Sequence, residues 1–334
     1  MGSDKAKTEE KGTAKLGNER WSGKAFFTNP YGVAASAVVC AALWGSAFPA
    51  IKRSYDMLDI RSDDTAELLW FAGLRFLLAA LMILAFAAYM ARGKAGLRAA
   101  TVPSLLRIGV FQTFLQYVLF YVGMSLSTGM QGAVISGTTS FFQMLFAHFF
   151  YADDKLNARK VGGLFAGFLG VVAVNLTQGA VELRFGVGEA CLLFAMAAAG
   201  LGNLFARDGS ASMPVAYLTG YQMLFGAVGL LAAGAAAGGG WHRLEFTLAS
   251  AGLLAYLAFL SAAGFVLWNT IMKYNRVGNV SMYLFLIPVF GVLLSALLLG
   301  ETLHRFILIG LALVAGGIAF VHRRKDADSA KAVG

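Results

Sequence analysis

Charge is what this sequence has least of. Only 13% of its 334 residues are Asp, Glu, Lys or Arg, whereas a soluble domain carries about a quarter. That deficit excludes an ordinary water-facing surface. Cysteine is nearly absent as well. Cys40 and Cys191 lie in separate apolar stretches and form no metal-type pair, so no disulfide, zinc site or other cofactor is expected. The chain also lacks an HExxH, a P-loop and a convincing nucleophile–base pair. Acidic residues are missing from the depth of every long apolar run.

What is present is hydrocarbon. Apolar residues make up 58% of the chain, and the mean hydropathy is +0.67. A bilayer core about 30 Å thick needs roughly 20 apolar helical residues to cross it. That length recurs at 32–51, 68–90, 106–126, 129–150, 161–178, 187–206, 213–236, 249–272, 278–299 and 303–322. A membrane β-barrel would instead show alternating segments of about ten residues. The expectation is an all-α integral membrane protein with ten transmembrane helices. The first apolar run is followed by "IKRSYD" and has no small-residue cleavage pattern, which favours a retained helix over a signal peptide.

Basic residues predict the orientation. With the polar tail 1–31 inside, six Lys/Arg fall outside: Lys52, Arg53, Arg61, Arg184, Arg243 and Arg305. Arg75 and Arg107 lie within spans, and the remaining 19 of the 27 lie inside. The positive-inside rule therefore places both termini, including the tail 323–334, in the cytoplasm of a multi-pass cell-membrane protein. The net charge of +9 is then topogenic and calls for no nucleic acid; lipid is the expected partner.

An internal repeat organises the spans. Shifting the chain by about 147 residues sets Asp154 on Glu301, Leu156 on Leu303, Gly163 on Gly310, Gly170 on Gly317 and Arg75 on Gln222. This gives two five-helix units, 32–178 and 187–322. An odd helix number sends the second unit into the membrane from the opposite side, so the repeats are inverted, a common plan for secondary transporters.

The motifs "AALWGSAFPAIK", "GLRFLLAALMIL", "FFYADDKL" and "FLIPVFGVLLSALLLGETL", in this order, resemble the drug/metabolite transporter superfamily, EamA type, over about residues 32–322. Two departures stand out: Phe141 where the first repeat often has proline, and Asp154 where it usually has Glu. The resemblance implies a central cavity lined by the first four helices of each repeat and alternating-access movement of small metabolites. It implies, in particular, export of amino acids or related compounds. Related families carry other solutes, so no single substrate follows.

Polar residues inside the spans nominate the site. Arg75 lies about 10 Å below the outer boundary at 1.5 Å per residue. It reads either as counter-charge to a carboxylate substrate or as a structural partner of an acid or of helix-end carbonyls. Gln112 and Gln116 are one turn apart on the third span. Ser136, Thr139, Ser140 and Gln143 form a stripe on one face of the fourth. Such a stripe reads as a wet cavity or as interhelical glue. Gln222, the repeat partner of Arg75, joins the set.

Among aromatics, Trp44, Tyr117, Tyr121, Tyr221, Trp268 and Tyr283 could stack a solute, or serve packing and interfacial belts. Pro288 removes a hydrogen bond near the middle of the ninth span, as a gating bend or a static kink. Asp154, Glu301 and Glu189 stand at span ends and are expected to cap the helices that follow. Proton coupling, if it exists, has no obvious carrier here.

GxxxG spacings at Gly163–Gly167 and Gly234–Gly238 suit tight packing, and leave monomer and homodimer both open. "DDTAE", Asp63 to Glu67, faintly resembles a magnesium motif of membrane prenyltransferases, but no second acidic cluster faces it, so an enzyme is not expected. A flippase for lipid-linked substrates is the alternative within the same fold.

Overall fold

In lipid a backbone amide has no partner outside its own element, so a chain this apolar must coil into helices. Every regular element among the described residues is helical. The computed structural model describes residues 23–93, 96–127, 129–175, 185–240, 244–299 and 306–322. After a short helix Gly23–Thr28, the helices are α1 Pro30–Leu58, α2 Thr65–Met90, α3 Ala99–Leu126, α4 Gly129–Ser136, α5 Thr139–Phe150, α6 Ala158–Asn175, α7 Val187–Gly209, α8 Val215–Ala236, α9 Leu248–Tyr274, α10 Val277–Leu298 and α11 Phe306–His322. Seven of them, α1, α2, α3, α7, α8, α9 and α10, are long and apolar enough to cross a membrane. The expected fourth, fifth and tenth spans correspond to α4 with α5, to α6 and to α11.

Local chemistry sets the ends. Asn29 accepts from Tyr31 N–H ahead of α1, with Pro30 as its first residue. Asp64 accepts from Glu67 N–H at 3.1 Å ahead of α2, so one acid of "DDTAE" is a cap. Thr247 and Ser250 form a reciprocal capping box for α9. Glu189 reaches back to Gly186 N–H at 2.8 Å at the start of α7.

Three spans depart from regular helices. The expected continuous helix over 129–150 breaks at Gly137 and Thr138. Thr138 Oγ1 donates to Ile135 O at 2.6 Å and Thr139 Oγ1 to Ser136 O at 2.8 Å. Hydroxyls that take local carbonyls compete with the helix ladder, and Gly137 offers it little support. Within α3, Val110–Leu115 is a π-helical turn. Within α10, Ser281–Phe285 is a 3₁₀ turn, placed just where Pro288 cannot donate to Leu284 O. The chain tightens to i→i+3 bonding there.

The radial polarity is that of a protein in lipid. Phe149, Leu297 and Leu308 are each more than two-thirds exposed, while Gln112, Gln143, Ser261 and Asn269 are fully buried. Water would favour the reverse.

Helix contacts are symmetric under exchange of the two halves. α2 lies along α8, and α6 along α11, in the most extensive contacts. α3 packs on α7 as α9 packs on α1; α5 packs on α7 as α10 packs on α1. The glycines aligned by the repeat carry this relation to atomic contact. A Cβ on Gly170 would stand 2.7 Å from Gly310 O, and one on Gly163 3.0 Å from Gly317 O. The two backbones cross there with no room for side chains. The GxxxG glycines Gly163 and Gly167 are therefore occupied within the chain, against α11 and Phe285, and Gly234 lies against Trp70.

Candidate functional site

Between the helices lies a cavity of about 190 Å³. α1 contributes Trp44, Ala47, Phe48 and Ile51; α2 contributes Arg75; α3 contributes Gln116, Tyr117, Phe120 and Tyr121. Ser136 and Thr139 face it on either side of the α4–α5 break, Met196, Ala199 and Asn203 from α7, Phe265 from α9, and Leu284, Ile287 and Pro288 from α10. Arg75 lies roughly 15 Å along α2 from Thr65 at 1.5 Å per residue, deeper than the expected span start implied.

Close backbone approaches place the walls. A Cβ on Gly45 would meet Phe290 Cβ at 2.5 Å and Gly291 N at 2.9 Å, so α1 and α10 touch beside Trp44. The Trp44 indole lies over Gly264 of α9 and makes an edge contact with Phe265 at 5.3 Å between centroids. Trp268 stands behind Trp44, 5.9 Å away, fully buried and off the cavity.

One end of the cavity is closed by a buried hydrogen-bond network spanning six helices. Gln112 of α3 is its hub: Nε2 donates to Asn203 Oδ1 of α7 at 2.7 Å and to Asn269 Oδ1 of α9 at 3.2 Å. Asn269 donates onward to Thr219 Oγ1 of α8 at 2.9 Å. In the other direction Asn203 donates to Gln143 Oε1 of α5, and Gln143 to Ser281 Oγ of α10 at 2.8 Å. Ser140 Oγ donates to Ser281 O at 2.9 Å. Asn203 belongs to both network and cavity lining, so it marks the floor between them.

The π-helical turn separates the two glutamines of α3. In a regular helix, residues four apart share a face; the wider turn sends Gln112 into the network and leaves Gln116 at the cavity. π-turns are frequent at functional sites. The α4–α5 break divides the polar stripe likewise: Ser136 and Thr139 line the cavity, while Ser140 and Gln143 bond to Ser281.

Of the other sequence-nominated residues, Tyr283 packs in the apolar core and Tyr221 meets Tyr217 edge-on at 4.8 Å; neither lines the cavity. Gln222 Oε1 accepts from Thr113 Oγ1 at 2.9 Å. That bond joins α8 to α3, as Arg75 Nε, donating to Ser261 Oγ at 2.9 Å, joins α2 to α9. Asp154 does cap a helix, but it is α10 rather than the following α6: its Oδ2 accepts from Gly278 N–H at 2.7 Å, and its Oδ1 pairs with Lys160 Nζ. Asn157 caps α6 instead, accepting from Lys160 N–H. Glu301 lies outside the described residues. Asn203, Thr219 and Ser281 are network members that sequence reasoning passed over. An amide inside the apolar run "GLGNLF" is the signal that could have found Asn203. Glu67, just ahead of the expected span 68–90, is a buried carboxylate in the first turn of α2.

The model of the EamA-like transporter family matches residues 32–176 and again 186–323. YyaM of Bacillus subtilis, described as an uncharacterized transporter, is 27% identical over 228 residues, covering 64% of this chain and 71% of its own. YvbV of the same organism, likewise described, is 25% identical over 80% of this chain and 86% of its own. A described but uncharacterized transporter of Archaeoglobus fulgidus is 26% identical over 84% and 95%. A solved crystal structure superposes with TM-score 0.70 at 17% identity, covering 88% of this chain and 97% of its own; it supports the fold alone.

Proposed function

From the premise that this chain belongs to the EamA-like transporter family, and so to a family of membrane transporters rather than enzymes, we propose that it is a secondary active transporter of small organic metabolites such as amino acids or related compounds. It works by alternating access around the central cavity. The two family matches are the two five-helix repeats, set in the membrane with opposite orientation, and the exchange symmetry of their contacts supports this reading. The basic-residue bias supports cytoplasmic termini in a cell membrane. Export is the direction the family resemblance favours.

The observation that carries the proposal is a cavity with a polar floor. At about 190 Å³ the cavity is on the scale of a small solute. The floor is built from bonds between side chains of six helices, so it opens when those helices separate, and its amides then meet water instead of one another. By the charge rule, it lies on the cytoplasmic half, and this conformation is closed to the cytoplasm.

Alternating access requires the reverse state, in which the floor parts and the opposite half closes. Pro288 and the 3₁₀ turn before it give α10 a point of bending beside the cavity. Arg75, Gln116, Ser136, Thr139 and Trp44 hold the solute; Gln112, Ser140 and Gln143 hold the floor.

Flux into liposomes containing the purified protein tests this, with amino acids, nucleosides and quaternary amines as solutes, with and without a pH gradient. Saturable flux of one class, lost in Gln116→Ala while the protein stays monodisperse, is the expected result. No flux of any soluble solute, with scrambling of labelled lipid instead, would replace the reading by a flippase.

A further inference from the structure

The cavity reading leaves the solute's chemistry open, and the surroundings of Arg75 narrow it; the inference rests on that reading. Arg75 is only 4% exposed, yet it lines the cavity. Its Nε–H is committed to Ser261 Oγ, which fixes the plane of the guanidinium, and its Cζ lies 4.7 Å from the Phe76 ring centroid. Among the described residues no carboxylate pairs with it, whereas Arg61, Lys160, Arg207 and Arg276 each have one. A guanidinium carries five N–H donors in a rigid fork matched to a carboxylate. One is used here, and the two Nη groups make no hydrogen bond among the described residues.

The rest of the lining points the same way. Among the described residues it contains no Asp, Glu, Lys or His, so the one formal charge found there is positive. Thr139 donates within α4–α5 and Asn203 is held in the floor. Gln116 makes no hydrogen bond among the described residues and is a further polar group on the wall, beside the Tyr117 hydroxyl. The remaining wall is largely aromatic. A cation would find no carboxylate among the described lining residues, so of the amino-acid-like solutes proposed above those without an ammonium fit best. A dianionic phosphate would find a single counter-charge among the described lining residues.

We infer that the cavity binds a small organic monoanion: a carboxylate on a planar or branched apolar body. The carboxylate takes the paired Nη donors of Arg75 in the bidentate geometry that makes such pairs strong, Gln116 supplies a further donor, and the apolar body stacks against Trp44, Tyr117 and Phe265. Ser261 is a positioning residue, turning the fork of Arg75 towards the chamber.

The test uses the full-length protein in nanodiscs and three matched pairs: benzoate and benzamide, 3-phenylpropionate and its amide, 4-methylpentanoate and its amide, with phenylalanine and 3-phenylpropylamine alongside. Binding is read by tryptophan fluorescence and by thermal shift. At least one carboxylate is expected to bind tenfold or more tighter than its amide and than the amine. Arg75→Gln should erase that ratio, and Arg75→Lys should keep the preference for charge with weaker binding. Equal affinity within every pair, no binding by any carboxylate, or tighter binding of the amine would overturn the inference. Should Arg75→Gln not fold, the pairwise ratio in the unaltered protein still decides. Flux is scored separately: carboxylate preference with no flux of any solute keeps the anion site and removes the transporter reading, while flux of an amine with no carboxylate binding does the opposite.

Discussion

Asn203→Ala should unlock the floor of the cavity. The substitution removes the acceptor of Gln112 Nε2 at 2.7 Å and the donor to Gln143 Oε1; the bonds to Asn269, Thr219 and Ser281 have other partners and remain. A neutral hydrogen bond contributes about 0.5–1.5 kcal/mol net, so the closed form loses about 1–3 kcal/mol. In the open form the same groups are hydrated, and the substitution costs little. The loss therefore falls almost wholly on one side of the equilibrium, shifting the open-to-closed ratio by about 5- to 150-fold.

The assay places a cysteine at Ile287, a lining position outside the network, in a protein with Cys40→Ala and Cys191→Ala. A membrane-impermeant maleimide is applied from the side where the chain between α2 and α3 emerges. When opening is fast, the labelling rate follows the open population, so Asn203→Ala should raise it within that range. Met196→Ala, which alters the lining but not the floor, should leave it unchanged. An unaltered or slower rate in a monodisperse Asn203→Ala protein would refute the reasoning, because the network would then not be what holds that end shut.

Neighbouring glycines on α11 offer a stability contrast. A Cβ on Gly317 would stand 2.8 Å from Gly163 O and 3.1 Å from Gly167 N, whereas one on Gly316 meets nothing within 4 Å. Gly317→Ala should cost about 1–3 kcal/mol by overpacking, and Gly316→Ala should gain about 0.5–1 kcal/mol from helix entropy; thermal unfolding in detergent should show shifts of opposite sign. Asp154→Asn leaves the Lys160 ammonium, 5% exposed, without its counter-charge and should cost about 3–5 kcal/mol. Asp154→Asn with Lys160→Met should recover much of that melting temperature; no recovery would mean that the bond to Gly278 N–H matters more than the charge. Pro288→Ala restores a donor to Leu284 O, so melting temperature should rise while flux falls; a rise with flux intact would make the bend a static one.

Much of the fold is legible in the residues because lipid leaves few choices. A run of about 20 apolar residues can satisfy its backbone only as a helix, so the membrane class and most spans follow from composition and length. The Glu189 cap is readable because its partner lies three residues away; Asp64 and Thr247 have partners as near but were not singled out as caps. The glycines themselves stand out in the sequence, but the contacts across α6 and α11 join Gly163 to Gly317 and Gly170 to Gly310, pairs that the 147-residue shift does not superpose.

The site was legible only as a set of polar residues in an apolar chain. Which of them face a solute and which face one another depends on the rotation of each helix about its axis. That rotation is set by a π-turn in α3, a break between α4 and α5 and a 3₁₀ turn in α10, none of which has a periodic signature. Gln112 and Gln116 look alike in the sequence, and only the wider turn between them assigns one to the floor and the other to the cavity. Asp154 caps α10 from 124 residues away, a partnership no local pattern encodes. The sequence alone therefore determined that the chain enters the bilayer, and where, because burial of the backbone is a local requirement. Tertiary structure decided what the bundle encloses, because a buried amide takes whichever partner the neighbouring helix brings to it.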